Sequence, residues 1–82
     1  MQDYEYLFST EVHRRLKEKV KGKVWVKAYN NELHVKITYD DLEFETTLDN
    51  LSDNILHGLG SEYAVYLIMN HYRKHINDLY FK

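Results

Sequence analysis

The sequence contains no cysteine, no proline and only three glycines among its 82 residues. The absence of cysteine excludes disulfide bonds, a catalytic thiolate and cysteine metal ligands, and it is typical of a reducing compartment. No run of 18 apolar residues could span a membrane, and no charged-then-apolar stretch at the N-terminus indicates a signal peptide. We therefore expect a cytoplasmic protein with no membrane segment.

No repeat, low-complexity tract or linker divides the chain either, so we expect a single domain over residues 1–82. Apolar residues make up 44% of the sequence and aromatic residues 15%, which is typical of a folded chain rather than a disordered one.

The net charge of −2 conceals a separation of the two signs along the chain. Residues 12–36 carry eight Lys or Arg residues against two Glu residues, a local balance of +6. Residues 37–72 carry seven Asp or Glu residues and no Lys or Arg, a local balance of −7. Such a separation concerns binding partners rather than the fold.

Apolar residues at every fourth position predict a first helix that starts at Tyr4 or Ser9 and ends near Val20. Asn30-Asn31 and Asp40-Asp41 then indicate two tight hairpin turns, because Asn and Asp tolerate the left-handed backbone that such turns need. Three antiparallel strands joined by two-residue turns are therefore predicted.

Two-residue turns at both positions fix the register of the strands. The predicted pairs on one face are Val24 with Ile37, Val26 with Val35, Ala28 with Leu33, Tyr39 with Leu42, Ile37 with Phe44, and Val35 with Thr46. Because two independently assigned turns agree on this apolar face, it is predicted to be buried. The other face is predicted to be solvated, with Trp25 over the aliphatic stem of Lys36, which also faces Glu45.

After the strands, Asn50 or Ser52 is expected to cap a short helix that ends at His57, and Ser61 to cap a long final helix. The apolar stripe of the final helix comprises Val65, Ile68, Met69, Tyr72, Ile76 and Leu79. These elements predict the α+β class: a two-layer αβββα(α) fold in which helices pack on one face of a three-stranded antiparallel meander.

The acidic segment supplies the first candidate site. Two carboxylate-bearing strands and an acidic loop can imitate a nucleic-acid backbone and occupy a basic groove of another protein, although such a segment is also typical of a plain solvated surface. The predicted partner-binding residues are Asp40, Asp41, Glu43, Glu45, Asp49 and Asp53. The predicted function is a non-enzymatic protein-interaction module that acts on a nucleic-acid-handling protein.

The basic segment supplies the alternative, a small nucleic-acid-binding domain. Cations bind phosphates and rings stack on bases, whereas lysines on an edge strand can also serve only to prevent aggregation. The residues of this alternative site are Arg14, Arg15, Lys19, Lys23, Trp25 and Lys27. The element order is similar to that of double-stranded-RNA-binding domains, but their Gly-Pro loop and the lysine cluster that opens their last helix are missing.

Self-association is a further possibility that the sequence raises. Trp25 and Tyr29 on an edge strand suggest a homodimer through the first strand or the outer face of the sheet. Lys23 and Lys27 oppose simple pairing of two such strands.

No enzyme, cofactor or metal site is expected, because no motif of useful specificity is present. Asp53, His57 and Ser61 are spaced by four residues, but Gly58 and Gly60 argue against one helix through all three, and no strained nucleophile turn surrounds the serine.

His71 and His75 lie one helical turn apart with Asp78 on the same side, a spacing that can hold zinc. A half-exposed helix edge explains the pair equally well, and Arg73 and Lys74 add unfavourable positive charge.

Two long segments, "ITYDDLEFETTLDNLSDNILHGL" and "LGSEYAVYLIMNHYRKHINDLYFK", resemble small accessory proteins of phages and prophages from AT-rich Gram-positive bacteria. The resemblance lies in a composition rich in Tyr, Lys, Asn and Asp and in an aromatic, basic C-terminal stretch. It implies a cytoplasmic, non-catalytic protein of a host bacterial cell that binds a host or phage macromolecule. Anti-CRISPR inhibitors include small acidic proteins of this kind, so an inhibitor is one expectation; the resemblance supplies no binding residues.

Overall fold

The computed structural model describes residues 3–52 and 60–80 of the chain. Its elements are α1 (Asp3–Lys19), β1 (Lys23–Tyr29), β2 (Glu32–Tyr39), β3 (Leu42–Leu48) and α2 (Ser61–Tyr80). The strands form one antiparallel sheet in the order β1-β2-β3, which confirms the predicted α+β class. No helix within the described ranges is long and apolar enough to cross a membrane.

Every cross-strand pair predicted from the two turns is present in the sheet. Asn30 and Asn31 have φ angles of 54° and 60°, and Asp40 has a φ of 53°. These left-handed conformations let the chain reverse within two residues, and Asn and Asp adopt them at low cost. The turns therefore set the register, and the register sets which face is buried.

Both helices pack on the same face of the sheet, where the core lies. The buried apolar residues are Val12, Leu16, Leu33, Val35, Ile37, Phe44, Leu48, Leu51, Ala64, Val65, Ile68 and Tyr72. In the predicted stripe of α2, Met69 and Ile76 are only partly buried, and Leu79 is 49% exposed. Leu79 lines the same groove as Met69 and Ile76, so it lies along the predicted stripe without being buried.

A histidine from each helix reaches an outer edge of the sheet. Nε2 of His13 lies 3.0 Å from the carbonyl oxygen of Val24 on β1, and Nε2 of His75 lies 3.1 Å from that of Glu43 on β3. Because a carbonyl oxygen can only accept, each Nε2 must carry the proton. Each helix therefore donates one hydrogen bond to a backbone carbonyl at an outer edge of the sheet.

Asn31 holds the chain where it leaves β3. Its carbonyl oxygen accepts the N–H of Leu51 at 2.9 Å, and its side-chain oxygen accepts the N–H of Ser52 at 2.7 Å. The backbone is helical at these two residues, and the rest of the predicted short helix, to His57, lies outside the described residues. The sequence predicted Asn31 as a turn residue but not as the residue that caps this segment.

Gly60, rather than Ser61, occupies the capping position of α2. The carbonyl oxygen of Gly60 accepts the N–H groups of Tyr63 and Ala64 at 3.1 and 3.3 Å. Ser61 is already helical, and its hydroxyl oxygen accepts a hydrogen bond of 3.0 Å from Nε of Arg15. The predicted capping role of Ser61 was therefore wrong, and its side chain instead ties α2 to α1.

Candidate functional site

Four exposed carboxylates form a continuous line at one corner of the sheet. Asp40 and Asp41 lie in the turn between β2 and β3, and Glu43 and Glu45 follow on the solvent-facing side of β3. Successive outward side chains on a strand are about 7 Å apart, similar to the separation of neighbouring phosphates in a nucleic-acid strand. We call these four residues the acidic ridge.

Few ion pairs neutralise the acidic ridge. Within the described residues, no salt bridge involves Asp40, Asp41 or Glu43, and Glu45 lies 3.6 Å from Nζ of Lys36. The side chains of Lys36 and Glu45 are 41% and 71% exposed to water, so the pair contributes little stability and can be exchanged for a partner's cation.

The remaining predicted acidic residues do not extend this line. Asp49 is exposed, but it follows the end of β3 that lies away from the Asp40-Asp41 turn. Asp53 lies outside the described residues. The structure therefore brings together four of the six acidic residues predicted to bind a partner.

A groove of about 760 Å³ adjoins the ridge on its helical side. Asp40 and Asp41 share its wall with Lys19, Lys21 and Arg73. Its apolar lining residues include Val20, Leu42, Met69, Ile76 and Leu79. The acidic ridge is thus bordered by cations towards the helices and open to water on the sheet side.

The sequence did not predict this mixture of charges, because net charge was summed over consecutive residues and not over residues that are neighbours in space. Lys19 and Lys21 precede the acidic segment by some twenty residues, yet the fold brings the end of α1 beside the second turn. Arg73 could have been found, since it follows Met69 by one helical turn and so lies along the predicted stripe of α2.

The basic residues predicted to bind nucleic acid do not form one surface. Lys23, Trp25 and Lys27 lie on the outer face of the sheet, whereas Arg14 and Arg15 belong to α1, on the opposite side of the sheet. Lys19, also on α1, faces the grooves beside α2.

Both arginines are engaged with carboxylates of the helical layer. Arg14 pairs with Glu11 and, at 3.1 Å, with Glu18. Arg15 lies 3.1 Å from Glu11 and 3.4 Å from Glu62. The hydrogen bond from Arg14 holds the pKa of the Glu11 carboxyl below its ordinary value, and the same bond raises the pKa of Arg14. A phosphate would have to displace these carboxylates to use either guanidinium.

The outer face of the sheet carries a small aromatic cluster. Trp25 is 50% exposed, and the ring of Tyr29 stacks on that of His34 with centroids 4.2 Å apart. Nζ of Lys27 lies 5.6 Å from the centroid of Tyr29. Trp25 lies opposite Lys36 in the sheet, as predicted. The cation–π contact found within the described residues, however, joins Lys27 to Tyr29 rather than Lys36 to Trp25.

The two histidines with zinc-like spacing contact β3 instead of each other. Nδ1 of His71 lies 3.1 Å from the hydroxyl of Thr46, and His75 donates to the carbonyl oxygen of Glu43. Among residues 3–52 and 60–80, no group of three or more potential ligands is close enough to hold a metal ion. The spacing of this pair is accounted for by the packing of α2 on the sheet edge.

The sequence spaces Asp53, His57 and Ser61, which have the residue types of a hydrolase triad, by four residues, but Asp53 and His57 lie outside the described residues. The hydroxyl of Ser61 accepts its hydrogen bond from Arg15, a residue that cannot act as a base at neutral pH.

The chain matches no known family model, and no curated protein or solved structure shows significant similarity to it. The expected resemblance to phage accessory proteins therefore remains a prediction, and function has to be argued from the surfaces described above.

Proposed function

We propose that this chain is a non-catalytic binding module whose acidic ridge occupies the basic, nucleic-acid-binding surface of another protein. Such a module would act as an inhibitor, because the ridge and the nucleic acid would compete for the same cations. A phage-encoded inhibitor of a bacterial defence or other nucleic-acid-handling protein, acting in the host cytoplasm, is the biological form that the sequence resemblance suggests.

The observation that carries this proposal is the geometry of the acidic ridge. Four exposed carboxylates follow one turn and one strand, and a hydrogen-bonded hairpin in the predicted register holds their backbone. A preformed charged surface loses little conformational entropy on binding, and complementary charge speeds the encounter with a basic partner.

The competing basic surface is weaker because it is divided. Its two arginines are paired with carboxylates on the helical layer, and its strand residues face the other way. The overall charge of −2 also gives no long-range attraction to a polyanion.

Reversal of the ridge charges tests the proposal. The variant combines Asp41→Lys, Glu43→Lys and Glu45→Lys with Asp40→Asn, because the left-handed backbone at position 40 (φ 53°) suits Asn better than Lys. Immobilised wild-type protein should retain basic nucleic-acid-binding proteins from nuclease-treated bacterial lysate, and the retention should weaken as salt is raised. The ridge variant should lose these partners.

A matched control reverses charge on the same sheet without touching the ridge. Lys23→Glu with Lys27→Glu alters two exposed side chains on the outer face of β1 and should leave the captured partners unchanged. Both variants should melt within a few degrees of the wild type. Retention of the same partners by a folded ridge variant would contradict the proposal.

One observation favours a second candidate, a site for single-stranded nucleic acid on the outer face of the sheet. Half-exposed Trp25 and the stacked pair of Tyr29 and His34 provide rings on which bases can stack, and Lys27 and Lys36 lie beside them.

Direct titration separates the two candidates. Labelled single- and double-stranded DNA and RNA should show no binding in the micromolar range at moderate salt if the acidic ridge is the working surface. Micromolar or tighter binding that weakens steeply with salt and is lost in Trp25→Ala would instead establish the second candidate, because phosphate contacts release counterions and ring stacking contributes about 1–3 kcal/mol per base.

A further inference from the structure

We infer that β1 is a self-association edge: two copies pair their β1 strands antiparallel across a two-fold axis at Val26, which joins the two sheets into one of six strands. The surface lies at the edge of the sheet opposite the acidic ridge, so the inference is independent of the proposed function.

The first support is the set of backbone groups that β1 leaves open. The two-residue turn at Asn30-Asn31 makes Tyr29 and Glu32 a hydrogen-bonded pair, so alternate residues of β1 bond to β2. Val24, Val26 and Ala28 therefore direct their N–H and C=O groups away from the sheet, which fits the contact of Val24 with His13. Within the described residues, no backbone hydrogen bond outside the sheet satisfies the groups of Val26 and Ala28.

The second support is an incomplete cover of the core at this edge. On β2 the inward side chains of Leu33, Val35 and Ile37 are fully buried, whereas Val24, Val26 and Ala28 on β1 are only half-buried. A groove of about 370 Å³ runs beside them, and Tyr6 and Thr10 of α1 form its other wall. The same three apolar side chains from a second copy would lie next to their counterparts and fill this space.

The third support is the register that the two-fold axis imposes on the outer face. When Val26 of one copy lies opposite Val26 of the other, Lys23 of each copy lies opposite Tyr29 of its partner copy. Trp25 of each copy then lies opposite Lys27 of the other. Every lysine thus meets an aromatic ring, where its cation and its aliphatic stem are both accommodated.

The neighbouring registers lack this complementarity. An axis at Trp25 would bring Lys23 opposite Lys27, and an axis at Lys27 would bring Lys27 opposite itself. Like charges directly opposite each other on adjacent strands are destabilising. Of these three registers, the lysines therefore favour the one centred on Val26.

The helices are compatible with this arrangement. Tyr6 is 59% exposed and lines the groove at the β1 edge, so it would be covered as the two α1 helices approach across the axis. His13 already donates to the carbonyl oxygen of Val24, but that oxygen has two lone pairs and can accept a second hydrogen bond.

A single introduced thiol tests both association and register, because the chain has no cysteine of its own. In the Val26→Cys variant the two thiols should meet across the axis, where paired residues have Cα atoms about 5.5 Å apart, a separation that a disulfide can bridge. Mild oxidation at micromolar concentration should therefore yield a covalent species of twice the 10.0 kDa chain mass.

Two controls make the result specific to this register. Ala28→Cys alone should not cross-link, since its predicted neighbour is Val24, whereas a mixture of Ala28→Cys and Val24→Cys should.

The Trp25→Ala variant, which carries no introduced cysteine, tests the contacts on the outer face. Its self-association, measured by sedimentation equilibrium, should be about tenfold weaker than that of the wild type, because the two-fold axis makes the contact between Trp25 and Lys27 occur twice in each dimer. A wild-type protein that sediments at 10.0 kDa at micromolar concentration, or equal cross-linking by Ala28→Cys alone, would overturn the inference.

Discussion

Replacement of Phe44 by alanine should destabilise the protein by about 3–5 kcal/mol. The side chain of Phe44 is 6% exposed, and its ring packs against Tyr72 and His75 of α2 with centroids 5.3 and 5.4 Å apart. Its loss would leave a cavity where β3 meets α2 that neighbouring side chains fill only partly. A chain of this length has a total stability of roughly 4–12 kcal/mol, so the substitution should remove a large share of that stability.

Chemical denaturation followed by circular dichroism measures this effect, with Lys36→Ala as the control. Lys36 lies on the solvent-facing side of the same sheet, and its ion pair with Glu45 is exposed, so its removal should cost less than about 1 kcal/mol. Equal denaturation midpoints for the two variants would contradict the assignment of the buried face.

The sheet could be predicted from the sequence because two local signals constrained each other. Asn30-Asn31 and Asp40-Asp41 are short-range turn signals, and a shift of the register by one residue would have moved every apolar side chain of β2 to the solvent. The half-exposed position of Trp25 followed from the same alternation. Local patterning was sufficient wherever the decisive contacts were between neighbouring strands.

The features that were missed depend on how the helices lie on the sheet. His13 and His75 contact backbone carbonyls on opposite sheet edges, and no spacing along the chain specifies that the helices reach so far. The same applies to the cations beside the acidic ridge, since Lys19 and Lys21 reach it through space rather than along the chain. Charge counted by segment indicated an acidic surface, but it could not indicate which cations border that surface.

Gly22→Ala should be the second strongly destabilising substitution. Gly22 joins α1 to β1 with a φ of 97°, a conformation that costs residues with a side chain about 1–3 kcal/mol. A Cβ atom at this position would also lie 2.3 Å from the carbonyl oxygen of Thr38 and 3.0 Å from Cβ of Tyr39. Because backbone cannot move aside as a flexible side chain can, we expect a loss of at least about 2 kcal/mol in the free energy of unfolding.

Gly60→Ala is the matched control for this prediction. A Cβ atom at Gly60 would meet nothing within 4 Å, and the backbone there is not left-handed. Because Gly60 caps α2 through its carbonyl oxygen, which alanine retains, the change should cost no more than several tenths of a kcal/mol. Denaturant titration of both variants shows whether alanine is destabilising only at Gly22, where the backbone of β2 is close, or at any glycine that connects a helix to its neighbouring segment. Similar stabilities for the two variants would mean that the connection between α1 and β1 can move away from Thr38 and Tyr39 of β2, and the close approach at Gly22 would then not constrain the fold.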